Sequence, residues 1–226
     1  MPVANRKVTP LPTITSWSSH VERWKDCHQC ALGYQRSSIV LARGTVPCDV
    51  LFIGEAPGMS EDAMGLPFKG PAGNLLDGII ERALDKSITY AMTNLVSCYP
   101  RNAKMFSDNH QPSPDEIRAC RTRLTEFVNI ARPRLVVRVG TLATAWADYA
   151  SDMKYLDIIH PAYILARMPL AQRQMAAQKS VVLLRAAVED MVESNCRNFT
   201  NWSYEHAGIQ SHGQSVANPP TDDIPF

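Results

Sequence analysis

No run of about eighteen apolar residues occurs in the 226-residue sequence, so no membrane-spanning helix is expected. The dinucleotide fingerprint Gly-x-Gly-x-x-Gly is missing, and so is a phosphate-cradling Gly-Lys-Ser/Thr loop. These absences argue against a Rossmann-type cofactor enzyme and a P-loop nucleotide hydrolase. Charge of one sign is scarce too: 23 basic against 22 acidic side chains leave a net charge of +1. The last thirty residues hold one of the basic and three of the acidic groups, so residues 1–196 carry +3. A nucleic-acid enzyme with this balance has to gather its positive charge on one face. Met1 to Pro12 lacks the apolar core of a secretory leader, which predicts a cytoplasmic protein. In that compartment six cysteines point to metal binding or catalysis rather than disulfides. No internal repeat is present. Beyond Cys196 little can be buried, so 197–226 reads as a disordered tail, with 1–15 an N-terminal extension and 16–196 the folded domain.

The sequence is rich in glycine and proline in one place. An apolar run, Val50-Leu51-Phe52-Ile53, leads into Gly54-Glu55-Ala56-Pro57-Gly58, and five glycines and three prolines fall within residues 54–73. Such density allows tight turns and close backbone approach to a small or flat ligand. A helix restarts near Pro71 and carries Leu75, Leu76, Ile79 and Ile80. Further apolar runs predict strands near 49–53, 88–97, 134–139 and 155–159. Helices are expected over 16–25, 71–85, 114–131, 141–150 and 170–195, with a long polar surface loop from Arg101 to Ser113. Strands alternating with helices predict an α/β protein: a three-layer α/β/α sandwich around a central, mainly parallel four-stranded sheet. A strand, a rigid loop holding carboxylates and then a helix is the layout of a site at the carboxyl end of such a sheet.

The ordered string from Gly54 to Asp77 resembles the signature loop of uracil-DNA glycosylases, in particular the iron–sulfur family 4 enzymes. Thr93-Asn94-Leu95-Val96-Ser97-Cys98 and His160-Pro161-Ala162-Tyr163-Ile164-Leu165 resemble two further motifs of that family. The resemblance covers about residues 20–193. It implies catalytic roles for Glu55, as orienter of water and stabiliser of a sugar cation, and for His160, as donor to uracil O2. Phe68 would stack on the flipped base. Asn94 would read uracil O4 and N3–H, since an amide offers both a donor and an acceptor. Glu61 would crowd the C5 edge against thymine, and Ala56 would supply a backbone amide. Ile164 or Leu165 would enter the duplex as an apolar wedge.

Cys27, Cys30, Cys98 and Cys120 match the family's ligand set in order. Four thiolates suit either structural zinc or a 4Fe–4S cluster, and the resemblance implies the cluster. Twenty-one residues separate Cys98 from Cys120, a longer spacing than the family pattern, with the extra length in Asn102–Gln111. Cys48 reads as a small buried apolar residue.

The chain ends Asp222-Asp223-Ile224-Pro225-Phe226, which resembles the C-terminal tip of bacterial single-stranded-DNA-binding proteins. A terminal Phe can fill an apolar pocket while its carboxylate meets a basic group. Together these features imply a monomeric bacterial or phage repair glycosylase that releases uracil from DNA and engages replication or repair proteins through its tip. The alternative is a catalytically weak DNA-binding module that recruits the same partners. Activity on another deaminated base, such as hypoxanthine, is a third reading.

Overall fold

The computed structural model describes residues 15–101, 110–149, 153–206 and 222–224, the last stretch and 195–206 as backbone only. Four strands form the parallel centre of one sheet: β2 (Val50–Gly54), β3 (Tyr90–Asn94), β4 (Leu135–Val139) and β5 (Lys154–Ile158). The strand β1 (Ala42–Val46) adds antiparallel to β3, and β6 (Asp222–Ile224) adds antiparallel to β1. The order across the sheet is β5-β4-β2-β3-β1-β6. The four expected strands are therefore present and parallel, and two antiparallel strands extend them.

Every residue of β2 is buried, and the reason lies in its neighbours on both faces. Val50 and Phe52 point toward α3 (Pro71–Ala83) and α7 (Leu170–His206), packing with Leu76, Ile79, Ile80, Val181, Leu184 and Val188. Leu51 and Ile53 point the other way, into a cluster with Leu124, Phe127 and Val128 of α4 (Pro114–Ala131). Alternation along the strand thus supplies two cores, and helices cover both sheet faces. On α7 the buried positions Ala177, Val181, Leu184, Val188 and Met191 recur every three or four residues, one helical stripe. The start of α4 is fixed by a capping box: Ser113 Oγ accepts from Glu116 N (3.3 Å), and Glu116 Oε2 accepts from Ser113 N (2.7 Å). A shorter helix, α1 (Trp17–Trp24), lies on α4 and brings Trp17 against Phe127.

Several expectations need correction. The strand β1 escaped sequence reading because Ala-Arg-Gly-Thr-Val breaks the apolar pattern: it carries Arg43, only 2 % exposed, and Gly44 at φ +112°. A side chain at Gly44 would meet the Tyr90 carbonyl at 2.3 Å, so the strands approach closely there. Two short helices, α2 (Met59–Met64) and α6 (Pro161–Arg167), stand where loops were read, and α5 (Thr141–Trp146) ends four residues early. The backbone of α7 runs to His206 and Asp222–Ile224 pairs with β1 at the sheet edge, while 207–221 and 225–226 lie outside the described residues. Among the described residues no helix is long and apolar enough to cross a membrane.

Candidate active site

All four parallel strands end on one side of the sheet. Glu55 follows β2 directly, Asn94 is the last residue of β3, Gly140 follows β4 and His160 follows β5 by two residues. After β3 the chain crosses to the opposite side of β2 to make β4, so a crevice opens at this carboxyl edge.

The loop after β2 is held rigidly by two buried charges. Glu61, in the first turn of α2, accepts from Gly58 N (3.0 Å), Lys69 N (2.9 Å) and Gly70 N (2.6 Å). Its carboxylate is thereby bound to the loop backbone while its side chain lines the cavity, so its visible work is to fasten the loop. Arg43 donates Nε to the Pro67 carbonyl (2.8 Å) and Nη2 to the Phe68 carbonyl (3.3 Å), and it pairs with Asp77. This clamp supports Phe68 at φ +55°, a conformation that costs a non-glycine residue about 1–3 kcal/mol. Gly73 is the complement: a side chain there would overlap the Phe68 carbonyl at 1.9 Å.

The clamped Phe68 ring faces Asn94 across Gly54. A methyl group built on Gly54 would stand 2.5 Å from Phe68 Cζ and 2.5 Å from Asn94 Oδ1. Glycine at this position is what lets ring and amide share one small space. That space is a cavity of about 260 Å³ lined by Ala56, Glu61, Phe68, Gly70, Asn94 and His160. Among the described residues the Asn94 side-chain amide has no hydrogen-bond partner, so its donor and acceptor are available to a ligand. A second cavity of about 470 Å³ adjoins through Ala56, His160 and Ala162, and is lined by Glu55, His110, Thr141, Tyr163 and Arg167.

Two side chains at this junction have shifted protonation. Burial raises the Glu55 carboxyl above its usual range, opposed by a hydrogen bond with Gln111. Burial lowers His160, which favours the neutral imidazole. His160 caps α6 by accepting the Ala162 N–H at Nδ1 (3.1 Å), so the neutral ring carries its proton on Nε2. The imidazole packs against Gly140 at φ +91°, where a side chain would come within 2.9 Å of His160 Cβ.

The expected wedge residues divide. Ile164 is fully buried, which does not favour it as a wedge, and Leu165 is half-buried. On α6, Pro161 and Ile164 occupy the inward face at a spacing of three, which turns Tyr163 outward. Tyr163 is 53 % exposed at the rim of the larger cavity, and sequence reading passed over it. Arg43, Gly140 and Gln111 were missed as well. A lone arginine in a strand and a glycine after one carry no local signature. In the long loop Arg101 pairs with Asp62 (3.3 Å), and residues 102–109 lie outside the described residues. So do Pro225 and Phe226 of the tip.

A separate constellation lies beyond the end of β3. Cys27, Cys30, Cys98 and Cys120 line one small apolar cavity with Trp24, Gly33 and Arg123, and none of the four is in a disulfide. Arg36 Nη1 donates to the Cys27 carbonyl (2.6 Å) and stands 3.5 Å from Cys98 Sγ. Burial raises the Cys30 thiol and pushes Cys98 up to about 12. Among the described residues no three such side chains stand in closed ligand geometry. Four thiols converging on one apolar pocket nonetheless suit a soft metal centre, whose charge would displace their protons. Cys48 is buried in the α4-side core, as expected of a small apolar residue.

Residues 43–185 match the family model described as the uracil DNA glycosylase superfamily. The chain belongs to that superfamily. The matched span holds Glu55, Ala56, Glu61, Phe68, Asn94 and His160, together with Cys98 and Cys120. Three relatives carry the description type-4 uracil-DNA glycosylase. The protein from Saccharolobus solfataricus is 37 % identical over 135 residues, 59 % of this chain and 60 % of its own length. The one from Thermotoga maritima is 29 % identical over 160 residues, 64 % and 80 % of the two chains. The one from Pyrobaculum aerophilum is 34 % identical over 119 residues, 53 % and 58 %. The chain thus spans about 60 % of the length of the first of these relatives. As a superfamily member it keeps the loop, the strand-end amide and the histidine in one crevice.

Proposed function

We propose that the protein is a monofunctional uracil-DNA glycosylase that accepts an extruded deoxyuridine and hydrolyses its N-glycosidic bond. The observation that carries this reading is the space Gly54 leaves between Phe68 and Asn94, in a cavity that also reaches His160. A base must leave the duplex to be processed, and a narrow pocket with an aromatic wall and one reading amide suits a single pyrimidine. Phe68 stacks on the ring. Asn94 accepts from uracil N3–H and donates to O4, while cytosine presents the opposite pattern and is rejected. As the C1′–N1 bond breaks, its electron pair passes to the uracil ring, and the Nε2–H of neutral His160 stabilises charge growing on O2. Ionised Glu55 stabilises the sugar cation and orients the water whose oxygen bonds to C1′. The released proton passes to this carboxylate or to solvent. Among the described residues no lysine lines either cavity, which supports hydrolysis without a Schiff base or strand cleavage.

Cys27, Cys30, Cys98 and Cys120 would hold a 4Fe–4S cluster, which fastens the N-terminal segment and the 98–120 region beside the DNA face without entering hydrolysis. The likeness to type-4 relatives supports the cluster over structural zinc, while the four-thiol cavity suits either. A visible iron–sulfur absorption band in anaerobically purified protein tests it, and stoichiometric zinc with no band would overturn it. We further propose that Asp222–Phe226 is a docking peptide for replication or repair proteins in a bacterial cytoplasm. To act so, Asp222–Ile224 has to leave its pairing with β1.

Incubating the protein with a uracil-containing oligonucleotide and then treating with alkali decides the main reading. Scission at the uracil position only after alkali is expected. Intact strands after prolonged incubation would contradict it and favour a binding module.

A further inference from the structure

We propose that Arg123 is the buried counter-charge of the four-cysteine site and the strut that ties that site to the base-reading Asn94. This rests on the reading of the cysteines as a metal-holding centre. Arg123 lies one turn after Cys120 on α4, is 1 % exposed, and lines the cysteine cavity. Its Nη1 donates to Thr93 Oγ1 (2.9 Å), and its Nη2 donates to the carbonyls of Asn94 (2.6 Å) and Leu95 (3.0 Å). Every one of these acceptors is neutral. Its Nε is buried and has no acceptor. Among the described residues no carboxylate stands within ion-pair distance of it. The nearest acid along the helix, Glu126, is bound to Arg23 and to Trp24 Nε1 (2.6 Å).

A buried cation facing only neutral dipoles is poorly compensated, and structures normally supply an anion for it. The thiols that line the same cavity would supply the missing anion on binding a metal centre. Four thiolates around zinc, or around a 4Fe–4S cluster, carry net negative charge, and cationic groups beside such a centre tune its stability and potential. Arg36 reaches the same site from the rim, but it is bonded to Cys27 and Cys98 and makes no bond to β3. Arg123 both lines the cysteine cavity and, through its forked donors, grips the end of β3 that presents the Asn94 amide. Thr93, in turn, donates to the Leu41 carbonyl (2.7 Å), so the grip extends to the chain just before β1. Placement of the reading amide is thereby coupled to occupancy of the cysteine site.

The test compares Arg123→Met and Arg123→Lys in the full chain with its native metal. It measures the rate of metal release to excess chelator and the affinity for free uracil, neither of which needs turnover. Arg123→Met is expected to release metal about 10- to 100-fold faster, the usual size of an outer-shell effect, and to bind uracil about tenfold more weakly. Arg123→Lys keeps the charge but loses the fork. It is expected to restore metal retention to within about threefold of the parent while leaving uracil binding weak. That split separates the proposal from general destabilisation, which would move both readouts together in both variants. Unchanged metal release in a folded Arg123→Met protein overturns the counter-charge. If Arg123→Met does not fold, Arg123→Lys decides, and rapid metal loss from it overturns the proposal. A parent protein purified with neither iron nor zinc would instead overturn the reading of the cysteine site, and this proposal with it.

Discussion

The floor and the rim of the crevice are built differently. The floor, Gly54, Phe68 and Asn94, is buried, and a rigid loop fixes it through Glu61 and Arg43. The rim, Glu55, His160 and Tyr163, is partly exposed, and Glu55 and His160 are shifted by desolvation. The contrast separates two tasks. Reading a base edge needs fixed geometry, which packing provides. Stabilising charge needs groups in defined protonation states near solvent, which burial at a cavity mouth provides.

The largest effects should come from the rim. Glu55→Gln is expected to lower turnover by about 10²–10⁴-fold, as for loss of a general base or charge stabiliser. Its sign with pH follows from the raised carboxyl. Parent turnover falls as pH drops through the elevated Glu55 value, and the variant lacks that limb. The same residue has a stability signature. Burial penalises the charged form, so Glu55→Gln should unfold at higher temperature than the parent near neutral pH. That gain should vanish below the unfolded-state value of a glutamate, about 4.3. Equal melting temperatures at pH 7 would refute the desolvated carboxylate. Replacing His160 with Ala removes one transition-state donor and should cost about 10²–10³-fold in turnover, with uracil binding less affected.

The floor should respond in affinity rather than in pH profile. Gly54→Ala puts a methyl group 2.5 Å from two packed side chains, so kcat/KM for uracil DNA should fall about 100-fold with an unaltered pH profile. A variant with parental kinetics would mean that the ring and amide do not share the substrate's space. The smallest effect concerns α6. Tyr163→Ala should weaken duplex binding about tenfold and leave melting within about 0.5 kcal/mol of the parent. Ile164→Ala should do the reverse, costing about 2–5 kcal/mol of stability with duplex affinity intact in the folded protein.

The difference between floor and rim also marks what could be read from the chain. The parallel strands were visible because their residues are apolar on both faces, and the loop because its glycines and prolines form a long ordered string. Asn94 and His160 were found through their motifs. Their convergence on one cavity depends on sheet order, which no local pattern encodes. The wedge expectation rests on the apolar character of Ile164 and Leu165, which says nothing about burial. The helical phase of α6, set by Pro161, decides which of them faces out. The strand β1 stayed hidden because a buried arginine serves the loop rather than the core, and Arg123 because its acceptors lie at the end of a strand distant in sequence.

The most direct measurement is the rate of base release from matched uracil- and cytosine-containing oligonucleotides by the parent and by Asn94→Asp. The exchange turns one amide donor into an acceptor, so the preference for uracil over cytosine should fall by about 10- to 100-fold, the size of one buried unsatisfied group. A variant that still releases uracil at a measurable rate and discriminates as strongly as the parent would contradict the claim that this cavity reads an extruded uracil through Asn94.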